Sequence, residues 1–316
     1  MKRKLIIDTD GGSDDAVALA MALNDENYEV VLVTTVSGNV RVDQATANVL
    51  TVLKMTDTYY PPVYQGSNEM LKRDWVGAAD THGEDGLSDL GLTDHSLCAN
   101  EGDAIEKIIE TLDSHAEKEI DLIALGPLTN IAKVILKAPQ SIRRVHQLTV
   151  MGSSGFTSGN VTPAAEFNVW QDAEACKIVL EAGIENLLFV GWDACLDEAV
   201  LRAEEIRRID EAHELGHFCI ASNESLLALN RARFGYDCLD LADPVAMAVA
   251  LYPECIQDCE RYYCDVETAD CISYGSFIID RFDFMGKPKN ASVCTRVKAD
   301  VFKKYLFDRL KVRNSQ

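Results

Sequence analysis

The chain has 316 residues, 51 of them Asp or Glu against 30 Lys or Arg, for a net charge of −21. That surplus argues against nucleic acid as a partner, because phosphate binding needs a basic surface, and against docking on an anionic membrane. No stretch is apolar for long enough to span a bilayer, and the apolar run after Met1–Lys4 ends at Asp8, too soon for a secretory leader.

The first predicted strand is Leu5–Ile7, followed by a helix over Asp14–Leu23. Val30–Val36 reads as a buried strand and Gln44–Met55 as a helix. Ile105–Leu112 is helical, Ile120–Ala124 a strand, and Leu128–Leu136 a helix. Strands at Leu148–Met151 and Leu187–Val190 flank a helix at Ala173–Ala182, and Arg261–Val266 with Ser273–Asp280 forms a strand pair. Continuous apolar strands alternating with helices predict an α/β fold. Its form is an open, mainly parallel Rossmann-like sheet with helices on both faces and a small C-terminal strand pair. Nothing in composition marks a linker, so residues 1–316 are expected to form one domain. The ten cysteines lack close CxxC pairs, which reads as reduced thiols in a cytoplasmic protein rather than a zinc site.

In such a sheet, ligands bind beyond the carboxyl ends of the strands. The unusual polar residues fall there: Asp8 and Asp10, then Ser37-Gly38-Asn39, Leu125-Gly126-Pro127 and Gly152-Ser153-Ser154-Gly155. The sharpest signal is Asp8-Thr9-Asp10-Gly11-Gly12-Ser13-Asp14-Asp15, four carboxylates within eight residues. One or two acids at a helix N-terminus are ordinary, since the helix dipole favours them. Four exceed what capping needs, and like charges this close require a charge sink. A hard cation such as Ca²⁺ or Mg²⁺ is the natural one. Asn39 or Asn160 alone would read as a turn residue. His213 and His217, four apart, would read as an ordinary helix face.

This stretch resembles the opening motif, DTDxGxDDA, of the inosine-uridine-preferring nucleoside hydrolases. The resemblance continues in order through Val36–Val40, His82-Gly83-Glu84-Asp85-Gly86-Leu87, Leu125–Ala132, Gly159-Asn160, Glu166-Phe167-Asn168, Asp243-Pro244 and Asp265–Thr268. It implies Ca²⁺-dependent hydrolysis of a ribonucleoside to ribose and free base, a place in nucleoside metabolism and purine salvage, and assembly as a homodimer or homotetramer. Asp10, Asp15, Asp243 and the Leu125 carbonyl would hold the Ca²⁺. Asp10 would also deprotonate the metal-bound water that attacks C1′ through an oxocarbenium-like transition state. Asp14, Asn39, Asn160, Glu166 and Asn168 would hold the ribose, and His82 would lie near the base.

One departure stands out. Many members carry histidine before the late Asp-Pro pair, and here the residue is Ala242, which cannot protonate a leaving base. His82, Tyr236, Asp240, Cys238, or stacking on Trp75 or Phe234, are the substitutes. The loops Arg73–Glu84 and Ser225–Asp240 are expected to border the base. Two other readings are a haloacid-dehalogenase-like Mg²⁺ phosphohydrolase with Asp8 as nucleophile, and a non-catalytic nucleoside-binding protein.

Overall fold

The structure, a computed structural model, describes residues 2–92 and 96–312. Its strands are β1 (Arg3–Thr9), β2 (Tyr28–Thr35), β3 (Val63–Gln65), β4 (Ile120–Ala124), β5 (Gln147–Met151) and β6 (Leu187–Val190). These are followed by β7 (Leu201–Arg202), β8 (Cys238–Leu239), β9 (Ile256–Val266), β10 (Phe277–Asp280) and β11 (Ala291–Val297). Nine of them form one sheet in the order β10-β9-β11-β6-β5-β4-β1-β2-β3, while β7 and β8 form a separate short antiparallel ladder. From β3 across to β11 the pairing is parallel.

Successive residues of one strand point to opposite faces. Leu5 and Ile7 accordingly enter one core and Ile6 the other. The first core is closed by the helices Ser13–Leu23, Val42–Thr56, Glu214–Ala221, Ala242–Leu251 and Ala299–Arg309; the second by Ala104–Ser114, Thr129–Lys137 and Ala173–Glu181. Both faces are therefore covered, as the unbroken apolar strands require.

The expected C-terminal strand pair is present but does not stand apart. β9 pairs with β10 on one side and with β11 on the other, and β11 lies parallel to β6, so the pair extends the main sheet. β10 also begins at Phe277 rather than Ser273. Among the described residues, no helix is long and apolar enough to cross a membrane.

The strand order places the site. Chain progression runs one way from β1 to β2 and β3, and the other way from β1 to β4, β5 and β6. β1 and β4 are neighbours at the reversal, and a crevice opens beyond their carboxyl ends. Asp8 and Thr9 end β1, while Leu125 directly follows β4, with its N–H donating to Asp8 O at 2.8 Å.

Candidate active site

Between β1 and the first helix the chain makes a tight turn with Gly11 at φ +66°. Asn48 stitches it from the neighbouring helix: its Nδ2 donates to Gly11 O at 2.8 Å and to Asp85 O at 2.7 Å. Asp15 accepts from Gly12 N at 2.8 Å and from the Thr9 hydroxyl. Asn39, just after β2, donates its N–H to Asp10 Oδ2 at 2.7 Å and its Nδ2 to Asp10 Oδ1 at 3.2 Å. Gly38 and Gly126 both pack against the Asp10 side chain.

Asp8 has a different job. Thr34 donates to its Oδ1 at 2.6 Å and Asn130 Nδ2 at 2.7 Å, tying β1 to β2 and to the helix after β4. It is fully buried and Oδ2 has no partner. Burial pushes its carboxyl up to about 7.

Asp10, Asp15 and Asp243 converge below the crevice and are almost wholly shielded from solvent. Asp15 contacts both Asp10 and Asp243. Carboxylate oxygens of Asp14, Asp15 and Asp243 all lie within 4.8 Å of one another, so Asp14 is part of the knot and Asp10 joins it through Asp15. Desolvation, compounded by neighbouring negative charge, raises Asp10, Asp15 and Asp243 above the usual carboxylate range. Among the described residues, no Lys or Arg forms an ion pair with any of the four. The basic neighbour is His82, whose Nδ1 lies 3.9 Å from Asp14 Oδ1. Buried like charges without a counter-charge are costly, and a divalent cation removes that cost. The donors are all hard oxygens, which suits Ca²⁺ or Mg²⁺ and not a thiolate-seeking metal.

Above the knot lies a cavity of about 540 Å³. Asp14, Asn39, His82, Leu125, Asn160, Glu166, Asn168 and Asp243 all line it. Asn168 Nδ2 donates to Leu125 O at 2.7 Å, and Asn160 Oδ1 accepts Phe167 N at 2.9 Å. Glu166 caps its helix, taking the N–H groups of Ser153, Asn168 and Val169 at 2.9–3.3 Å, and burial raises its carboxyl to about 7.

Residues 5–304 match the description of the inosine-uridine preferring nucleoside hydrolases. The chain belongs to that family. It is 32% identical over 314 residues to a pyrimidine-specific ribonucleoside hydrolase, RihA, of Shewanella sp., covering 99% of this chain and 97% of the relative. It is 33% identical over 307 residues to a non-specific ribonucleoside hydrolase, RihC, of Klebsiella pneumoniae, covering 96% and 97%. Among solved structures, a plant nucleoside hydrolase superposes with a TM-score of 0.92 at 27% identity, covering 99% of this chain and all of that one. The protein is thus a hydrolase acting on ribonucleosides.

In this nucleoside hydrolase the ten expected site residues fall in one place, eight on the cavity wall and Asp10 and Asp15 beneath it. The substitutes for the missing histidine divide. His82 and Asp240 line the cavity; Tyr236, Cys238, Phe234 and Trp75 do not. Phe234 and Tyr236 are half exposed at the end of the helix Glu224–Phe234, packed on each other at 6.2 Å. Residues 225–240 are thus mostly helix rather than loop, and that helix presents Leu226, Leu229 and Arg233 to the cavity. Trp75 donates Nε1–H to Gly38 O at 2.8 Å under the Arg41 guanidinium, outside the main cavity. Sequence reasoning missed Trp192, on the turn after β6, which forms part of the cavity wall. His213 caps a helix and reaches Leu310 O, while His217 pairs with Asp210, so they share no ligand. A phosphohydrolase nucleophile would have to be free, but Asp8 is sealed between Thr34 and Asn130.

Proposed function

We propose that this enzyme cleaves the N-glycosidic bond of ribonucleosides with the help of one Ca²⁺. Asp10, Asp15, Asp243 and the Leu125 carbonyl would hold it, with Asp14 close by. The observation that carries the reading is the set of buried acidic oxygens, uncompensated by any Lys or Arg among the described residues, at the floor of a nucleoside-sized cavity. A bound Ca²⁺ leaves coordination positions for sugar hydroxyls and makes nearby water more acidic.

The chain's own groups then divide the work. Asp10, fixed on both oxygens by Asn39, accepts the proton of the attacking water. Asp14, Asn39, Asn160, Glu166 and Asn168 orient the ribose by accepting from and donating to its hydroxyls. The acidic floor stabilises the positive charge that develops on the sugar ring as the bond to the base breaks. Trp192, Leu226 and Leu229 supply apolar surface at the cavity wall.

The test is to strip the protein with a chelator, titrate Ca²⁺ calorimetrically, and follow reducing sugar released from uridine and inosine. One Ca²⁺ per chain and recovery of ribose release are expected. Full activity in excess chelator, or no ribose from a broad nucleoside panel with Ca²⁺ present, refutes the reading.

A further inference from the structure

A nucleobase departs poorly as an anion, so a proton must reach it as the C1′–N bond breaks. Ala242 at the cavity wall has none to give. Of the protic side chains at the wall, the Arg233 guanidinium and the Trp192 indole hold their protons too tightly to transfer them, and Glu166 has both oxygens occupied as acceptors of the Ser153, Asn168 and Val169 N–H groups. His82 is committed at one end, since Nδ1 accepts Ser13 N–H at 3.2 Å and meets the Ser13 hydroxyl at 2.8 Å.

Asp240 follows β8 and is 8% exposed. Asn230 Nδ2 donates to its Oδ1 at 2.6 Å and to Cys238 O at 3.1 Å. That bond makes Oδ1 an acceptor, so the proton of the neutral acid belongs on Oδ2. We propose that Asp240, through Oδ2, is the acid that protonates the leaving base, an assignment that rests on the N-glycosidase reading above.

The electrostatic surroundings agree. Burial raises the Asp240 carboxyl, and the charge of Asp14 raises it further, against the lowering by Asn230, by the Asp240 backbone N–H and by Arg233. Cys195 and Cys238 also feel the Asp240 charge, and burial raises both thiols, which keeps them neutral. A buried carboxyl whose acidity is weakened in this way can serve as a general acid.

The step balances. The Asp240 proton goes to a base nitrogen or carbonyl oxygen, and the C1′–N electron pair leaves with the base. Water oxygen bonds to C1′, and its proton goes to Asp10. Ribose and neutral base depart, leaving Asp240 ionised and Asp10 protonated, and exchange with solvent resets both.

The experiment compares natural nucleosides with p-nitrophenyl riboside, whose phenolate leaves without a proton. Asp240→Asn is expected to lower kcat on uridine or inosine by about 100-fold or more, and to stay within about threefold on the nitrophenyl substrate, since only the acid is lost. Asp240→Glu is expected to recover part of the nucleoside activity. The residual nucleoside activity of Asp240→Asn should lose the alkaline limb of the kcat/KM profile, which a purely structural role would leave in place. Equal losses on both substrates, or unchanged nucleoside turnover, overturn the assignment of Asp240 alone. A wild-type protein that frees no ribose from either substrate overturns the N-glycosidase reading instead.

Discussion

Asp10 can be displaced without altering any polar side chain. A methyl group added at Gly38 would sit 2.7 Å from both Cβ and Cγ of Asp10 and overlap Oδ2 outright. Carbon atoms pack at roughly 3.5–4.0 Å, so Gly38→Ala must push the Asp10 side chain away by about 1 Å. Gly126 also crowds Asp10, since a methyl group there would sit 2.9 Å from the Asp10 Cβ and Cγ. The shift must therefore break one or both bonds from Asn39 to the Asp10 carboxylate. A misplacement of about 1 Å costs about 100-fold in rate, near 2.7 kcal/mol of barrier. Overpacking of this kind costs ~1–3 kcal/mol of stability, which leaves a folded protein. Ribose release from uridine at saturating substrate, with a thermal melt of the same sample, measures both. A kcat within about threefold of wild type would refute the claim that Asp10 is held in place by Gly38 and Asn39.

Glu166 supplies a pH test. Its folded value of about 7 lies above the ordinary 4.5, so its contribution is fully present below 4.5 and is lost as pH rises through 7. The difference amounts to about 3 kcal/mol at most. Glu166→Gln should therefore cost more stability at pH 5 than at pH 8, as read from urea midpoints; a cost that grows with pH contradicts this. Asp8, also raised to about 7, predicts the same sign for Asp8→Asn. Asn130→Ala removes bonds to Asp8, Thr35 and Ser67 at 2.7–2.9 Å. It should lower stability by about 3 kcal/mol or more, since each orphaned buried group costs ~1–3 kcal/mol. Unchanged denaturation midpoints would refute that role. Trp192→Ala should raise KM for a nucleoside about tenfold with a smaller change in kcat, the pattern of lost uniform binding; a kcat loss with KM unchanged would place Trp192 in the chemistry instead.

Much of this site is legible in the sequence because its parts lie in short, local motifs. Asp8 to Asp15 form one strand-to-turn unit, and a turn with Gly11 at positive φ can be read from its residues. The Asn39 and Leu125 loops follow strands whose apolar runs are unambiguous. What stayed hidden depends on packing. The helix Ala242–Leu251 is buried on nearly all sides, so it carries no amphipathic period to announce it. β11 has no clean alternation over its seven positions, with Val293 and Cys294 both buried, and takes its place through pairing with β6 and β9. Trp192 reaches the cavity because β6 ends at the rim, a fact of sheet order rather than local pattern. Phe234 and Tyr236 misled for the complementary reason. Aromatic residues near a site motif suggest a base platform, but Phe234 at the helix end and Tyr236 just beyond it are exposed, and the helix offers Leu226, Leu229 and Arg233 instead.

Asp10 and Asp15 have no exposed surface, whereas Asp14, Asn39 and Asp243 form part of the cavity wall above them. Anything that fills the cavity therefore stands between the deep carboxylates and bulk water. Traffic to that floor is arranged in series with traffic to the cavity, so a cation held there would arrive before the nucleoside and leave after its products. An occupied cavity would act as a stopper, and slow cation exchange under turnover would be the kinetic signature of that geometry.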